Sequence, residues 1–185
     1  MSVLKPIEPS DATGVTKEIF DHLEKNMNRI PAMVRVMAHS PAIAETYMHF
    51  NQALAKSSLS PRTLALITVA IAEISGCDYT LSIGIALARR HGVEEPELAA
   101  ARAGRAEDDK TARTLEFATS IVRRVGQVPH EDVERLRQSG FSDREIVDII
   151  GAVGLNIFRN YFNLVVGTDI DVPVARTSRS AQLVS

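Results

Sequence analysis

The strongest candidate nucleophile is Cys77, the single cysteine among 185 residues. It follows Gly76, where one apolar helical pattern stops and another starts. A thiol at a helix N-terminus sits among unpaired backbone N–H groups at the positive end of the helix dipole, and both favour the thiolate. On a helix, positions 77, 80 and 84 are i, i+3 and i+7 and share one face, a row that suits a nucleophile, a partner and a base. The residues in that row are Cys77, Thr80 and Gly84. Threonine cannot close a disulfide and glycine offers no base, so a two-cysteine redox cycle within one chain is excluded by composition. A one-cysteine peroxidase stays open, with Cys77 attacking, Tyr79 or Glu73 as hydrogen-bonding neighbour, and an external thiol resolving. Glu73 lies four residues before Cys77 and shares its face if the helix is unbroken; beside an apolar wall it could act as a general base. The plainer readings are a cysteine kept for packing and a glutamate paired with an arginine.

A second group lies in the last long helical stretch. Asn156, Arg159, Asn160 and Asn163 follow one another at i, i+3, i+4 and i+7 and form a continuous polar stripe. An arginine flanked by asparagines could hold a carboxylate or an enolate oxygen; alternatively the stripe caps helix ends or crosses a subunit interface. His49, with Tyr47, could reach such a pocket from an earlier helix. The five histidines are scattered without H-x-x-x-H or H-x-x-E-H spacing, so neither a metal site nor a cofactor is expected.

The stretch Gly76-Cys77-Asp78-Tyr79-Thr80-(x)3-Gly84 resembles the G-C-x-Y-C-x-x-x-H signature of the alkylhydroperoxidase D-like (AhpD-like) branch of the carboxymuconolactone decarboxylase superfamily. That branch reduces peroxides with two cysteines, a histidine and a glutamate on the preceding helix. Here the second cysteine is Thr80, the histidine is Gly84 and the glutamate is Ala65. By the resemblance, the cysteine that attacks peroxide is the missing one, and Cys77 occupies the resolving place. The run from Asn160 and Asn163 through Thr168 and Asp171 to Pro173 is similar to the N-x-x-N-x-x-x-x-T-x-x-D-x-P ending of longer members, with Leu164 where histidine commonly stands. Decarboxylase members carry an E-H-E-L-R-x-H pattern, whose acid/base groups Thr80, Leu81 and Gly84 do not supply. The resemblance therefore implies a kept scaffold with dismantled redox machinery. A hydroxyl and a hydrogen atom in place of sulfur and imidazole predict a roomier, less reactive cavity at Thr80 and Gly84.

Helices position these groups. Amphipathic or apolar helical patterns cover about 15–26, 32–39, 41–56, 61–75, 77–90, 94–103, 111–125, 131–138 and 143–166. Ser40-Pro41 and Ser60-Pro61 are N-cap and first-turn signals, and Ser142-Asp143-Arg144-Glu145 is a capping box. No stretch alternates with period two long enough for a strand. The fold class is all-α: an AhpD-like fold of orthogonally packed helices with short flanking ones. Residues 1–14 read as an extended lead-in, 15–173 as one domain, and 174–185 as a flexible tail. The stripe of the last helix predicted to be buried is Ile146, Ile149, Ile150, Val153, Ile157, Phe158 and Phe162.

A net charge of −2 gives no basic face for nucleic acid. No run approaches the roughly 20 apolar residues of a membrane span, and the N-terminus lacks a signal pattern; a cytoplasmic protein is the expectation. The stretch 61–75 is apolar nearly all round, which together with the resemblance predicts a homo-oligomer (dimer, trimer or hexamer). The function these features favour is a diverged family member acting on a small organic molecule. The alternatives are the one-cysteine peroxidase and a non-catalytic binding or assembly module.

Overall fold

The computed structural model describes residues 2–182. A 3₁₀ turn at Pro9–Asp11 precedes ten α-helices: α1 Gly14–Met27, α2 Ala32–Met37, α3 Pro41–Leu54, α4 Pro61–Ser75, α5 Asp78–Arg90, α6 Glu95–Arg102, α7 Asp109–Arg123, α8 His130–Gln138, α9 Asp143–Val166 and α10 Ser178–Gln182. No strand occurs among the described residues.

The boundaries follow local chemistry. Ser60 accepts the Thr63 N–H at the start of α4, with Pro61 in the first turn. Ser142 and Glu145 close their capping box reciprocally at the start of α9. Ser40 holds the N-cap place of α3, but its side chain makes no capping bond. At α7 the cap is Asp108, which accepts the Thr111 N–H at 2.9 Å, so the helix starts two residues earlier than its apolar pattern implies. Gly76 and Gly167 end α4 and α9 at φ 69° and 64°, a left-handed backbone that glycine adopts without a Cβ penalty.

The fold is built round α4. Every residue from Ala65 to Ala72 is buried, and α4 packs against α5, α6, α7 and α9. Its all-round apolarity is thus satisfied inside its own chain, and the inference from α4 to oligomerisation loses its basis. Full burial of one leucine or isoleucine is worth about 1.5–3 kcal/mol, so truncating Ile67 or Ile71 would remove a large part of a typical stability margin. A smaller core joins α1, α2 and α3 to the start of α5 through Phe20, Leu23, Met33, Val34, Cys77 and Tyr79.

Three expectations need correction. On α9, Ile146, Ile149 and Val153 are buried, and Ile157 and Phe162 are half-buried, but Ile150 and Phe158 face solvent with Val147, Tyr161, Leu164 and Val165. The inner face is set by the buried asparagines instead. By length and composition alone α9 could cross a bilayer, contrary to the sequence reading; it packs on α4 and α7. The tail is not loose as far as Gln182: Thr177 is fully buried and α10 follows it. The remaining tail residues, 183–185, lie outside the described residues.

Candidate functional site

Gly76 turns the chain out of α4, and the Cys77 N–H closes back on the Ala72 carbonyl at 3.1 Å. Cys77 is thereby the N-cap residue of α5, at the predicted helix start. The predicted activation does not follow, because the side chain is only 1% exposed. Burial pushes the thiol up, and hydrogen bonds from the Thr80 side chain and the Thr80 and Tyr79 backbone offset this only in part. Desolvation of the charged form outweighs the helix terminus. The thiol donates to Thr80 Oγ1 at 3.3 Å. Tyr79 is also buried, its hydroxyl accepts the Met33 N–H at 3.3 Å, and burial above all drives its phenol far beyond the ordinary range. It is a packing residue that ties α5 to α2, not an acid or base.

Glu73 does not join this cluster. The break at Gly76 ends the helical face that Glu73 and Cys77 would share, and the carboxylate pairs with Arg102 at 2.9 Å and accepts the Ser178 N–H at 2.7 Å. Gly84 sits against α4 rather than on an open wall. A Cβ there would lie 3.1 Å from Thr68 Cγ2 and 3.3 Å from the Val69 nitrogen, so the absent side chain is what lets α5 approach α4. The roomier cavity expected there is closed at Gly84 by α4, and Thr80 is buried against Cys77 and Asn163. His49 is exposed on a shallow groove between α1 and α3, with His22, Glu45 and Met48, apart from the polar stripe of α9.

That stripe does face inward. Asn156, Asn160 and Asn163 are all buried. Asn163 Nδ2 donates to the Arg159 carbonyl at 2.8 Å, to Met33 Sδ at 3.1 Å and to Thr80 Oγ1 at 3.4 Å, which brings α9 to the Cys77–Thr80 pair. Asn160 Nδ2 donates to Ser75 Oγ at 3.0 Å, and Asn156 Nδ2 to the Ala152 carbonyl at 2.9 Å. The Oδ1 atoms of all three are buried without a partner among the described residues.

Arg159 Nε donates to the Tyr47 hydroxyl at 3.1 Å, and its Nη2 to Asn51 Oδ1. The guanidinium lies 5.6 Å from the Tyr47 ring centroid. Both hydrogen-bond partners are neutral, so a half-buried cation is held in place without a counter-charge among the described residues. Arg159 and Asn156 line a cleft of about 220 Å3 whose remaining walls are largely apolar, with Leu54, Leu64, Leu87 and Leu155 among them. Tyr47 reaches the stripe from α3 as expected, though without His49; Asn51, one turn on, escapes a sequence reading because nothing local pairs it with a residue more than 100 positions away.

A second cleft, of about 560 Å3, opens at the start of α5 and is lined by Cys77, Tyr79, Asn163, Thr168, Val174 and Arg176 among others. The sequence candidates therefore divide between two sites along α9. Asn156 and Arg159 belong to the first, Cys77, Tyr79 and Asn163 to the second, and Asn160 lies between them.

The sequence model of the carboxymuconolactone decarboxylase family matches residues 41–124, from α3 to the end of α7. Over this stretch, a little under half of its length, the chain is similar to that family. With one cysteine, it lacks a two-cysteine peroxidase motif. No curated protein gives a significant sequence match. Among solved structures, the chain is similar to the AhpD-core, peroxidase-related protein of Ralstonia eutropha JMP134, with TM-score 0.82 and 19% identity over 92% of each chain. A peroxidase-related protein of Silicibacter sp. TM1040 gives TM-score 0.76 and 20% identity over 96% of this chain and 97% of that one. A cysteine-to-alanine variant of the debrominase Bmp8, in complex with 2,3,4-tribromopyrrole, gives TM-score 0.76 and 18% identity over 92% of each chain. At these identities the likeness is one of fold.

Proposed function

We propose that this protein acts on a small organic molecule bound in the cleft between α3, α4, α5 and α9, without a thiol redox cycle. The observation that carries the reading is the pairing of Arg159, a braced cation with neutral partners only, with Asn156, whose buried Oδ1 lacks a partner, in an otherwise largely apolar cleft. A fixed guanidinium suits a carboxylate or a developing oxyanion. An unpaired buried carbonyl suits a ligand that donates a hydrogen bond. Apolar walls suit a compact ring or chain. The ligand class is a small, largely apolar acid that also carries a hydroxyl or N–H group. The debrominase relative bound to 2,3,4-tribromopyrrole, a planar ring, supports a pocket of this size class on this scaffold.

Cys77 argues against the one-cysteine peroxidase, since burial keeps its thiol protonated and peroxide reduction needs the thiolate. We further propose a homo-oligomer, now supported by the exposed apolar face of α9 rather than by α4.

A thermal-shift and calorimetry panel of small aromatic and aliphatic acids, with and without hydroxyl groups, tests the cleft. Hydroxylated acids are expected to stabilise the wild type, and Arg159→Ala and Asn156→Leu each to abolish the effect. A flat panel, or binding that survives both substitutions, overturns the reading and favours the assembly module.

A further inference from the structure

The segment after Pro173 clamps down beside the only thiol. The Thr177 N–H and hydroxyl both donate to Asp78 Oδ1, at 2.8 and 3.0 Å, and Arg176 Nη1 donates to Asp78 Oδ2 at 2.8 Å. The Ser178 N–H donates to Glu73 at 2.7 Å, and the Ala175 N–H to Ser82 Oγ at 2.9 Å. Arg102 holds the Arg176 carbonyl at 2.7 Å. The Arg179 side chain lies over Gly76. Two carboxylates, one on each side of Cys77 in sequence, thus fasten a strap of residues 174–182 to the start of α5.

Strap and thiol share one cleft, since Val174, Arg176 and Ser180 line it together with Cys77. Two further lining groups call for a ligand. Asn163 Oδ1 and Thr168 Oγ1 are buried without a hydrogen-bond partner among the described residues, and both residues are more than nine-tenths buried. The Asn163 amide is oriented by its bond to the Arg159 carbonyl, so its oxygen is left for a donor. An unpaired buried acceptor costs about 1–3 kcal/mol, which a ligand N–H would recover.

We propose that Cys77 is a strap-gated modification site that forms a mixed disulfide with a small disulfide bearing N–H donors, which meet Asn163 and Thr168 once residues 174–182 lift. In the step, the Cys77 thiolate attacks one sulfur of the small disulfide. A protein–sulfur to ligand-sulfur bond forms, the original S–S bond breaks, and the departing thiolate takes up the proton that Cys77 released; the small disulfide is the oxidant. With the strap down, burial holds the thiol protonated. With it raised, the backbone bonds from Tyr79 and Thr80 remain, and they favour the thiolate. This site is separate from the Arg159 cleft, so either can fail alone.

The test follows mixed-disulfide formation on the folded protein by intact mass, with oxidised glutathione as the N–H-bearing probe, hydroxyethyl disulfide as the probe without N–H groups, and Cys77→Ser as the blank. The Arg176→Ala/Thr177→Ala variant is expected to react about tenfold or more faster than wild type, as a local opening made easier requires. Relative to the urea-unfolded chain, oxidised glutathione is expected to gain on hydroxyethyl disulfide in the folded protein. Strap-variant rates within about twofold of wild type, or the same probe ratio folded and unfolded, overturn the proposal. Should the variant fail to fold, the wild-type rate is measured against sub-denaturing urea. A slope well below that of global unfolding supports a lifting strap, and an equal slope overturns it.

Discussion

The Cys77 thiol donates to Thr80 Oγ1 at 3.3 Å, across the i, i+3 spacing where a two-cysteine relative would place a second sulfur. The scaffold therefore still presents the two positions to each other, and only the element differs. Thr80→Cys is expected to lose both free thiols on mild oxidation, as counted with a thiol reagent after unfolding, whereas Thr80→Ser keeps its one. Reduced and supplied with an external dithiol, the variant should still turn over hydroperoxides poorly, because Gly84 and Ala65 supply neither imidazole nor carboxylate. Brisk peroxide consumption by Thr80→Cys would show that the missing sulfur alone silenced the chemistry.

Restoring the histidine is a different matter. Even a Cβ at position 84 meets Thr68 Cγ2 at 3.1 Å, Val69 Cγ2 at 3.2 Å and the Val69 nitrogen at 3.3 Å. The last of these is backbone and can yield only if α4 shifts. Gly84→Ala is expected to cost about 1–3 kcal/mol in urea unfolding, the usual range for overpacking, and Gly84→His more. A neutral or stabilising Gly84→Ala would show that α4 and α5 have slack at this crossing.

Asn156 offers a stability–function trade. Its Nδ2 bonds only back to the Ala152 carbonyl, and its Oδ1 is buried unpaired. Asn156→Leu, of similar size, removes that unsatisfied group and is expected to raise stability by about 1 kcal/mol. The same change should erase the thermal shift given by hydroxylated acids. Destabilisation on replacement would instead point to a bound water that satisfies the oxygen in the native protein.

The fold was legible because its signals are local. Proline after serine, the capping box and the glycine stops at 76 and 167 each mark a boundary within a few residues, and the apolar period did the rest. The site was less legible because its assembly is not local. Glu73 and Cys77 share a face only if the helix runs through Gly76, and the left-handed turn there separates them. Gly84 reads as vacant space in a sequence, while in the fold it marks the closest approach of two helices. Nothing near Arg176 or Thr177 announces that Asp78, about 100 residues earlier, will hold them. The outer face of α9 was misread for a related reason: apolar residues lie on both sides of that helix, and only the position of α4 decides which side is inside.

That outer face makes its own prediction. Tyr161 and Val165 are 64% and 78% exposed, one turn apart on α9, with Phe158 beside them. Exposed apolar stripes of this kind cover interfaces more often than they face water. Under the proposed homo-oligomer, Val165→Glu, alone or with Tyr161→Glu, is expected to lower the mass seen by light scattering while helicity by circular dichroism is unchanged. A mass unaffected by both substitutions would move the interface elsewhere.

Acid stability turns on carboxylates at helix starts. Lys110, then the Ser142 N–H and hydroxyl, draw Glu145 down to about 2. At Asp78, burial alone would raise the carboxyl, but the Thr177 N–H, the Arg176 guanidinium and the hydroxyls of Ser180 and Thr177 outweigh it and leave a net lowering. Both groups have folded pKa values below their unfolded ones, so the unfolded chain binds more protons in the window between. Their contribution is complete above the unfolded value of about 4 and fades as pH falls through the folded value. The melting temperature is therefore expected to be flat with respect to these two groups above about pH 5 and to drop towards pH 2. Glu145→Gln should melt below wild type at pH 7 and converge with it at the acid end, because protonation makes the wild-type side chain neutral as well. A constant gap between the two curves down to pH 2 would mean that the capping geometry, not the charge, supplies the stabilisation.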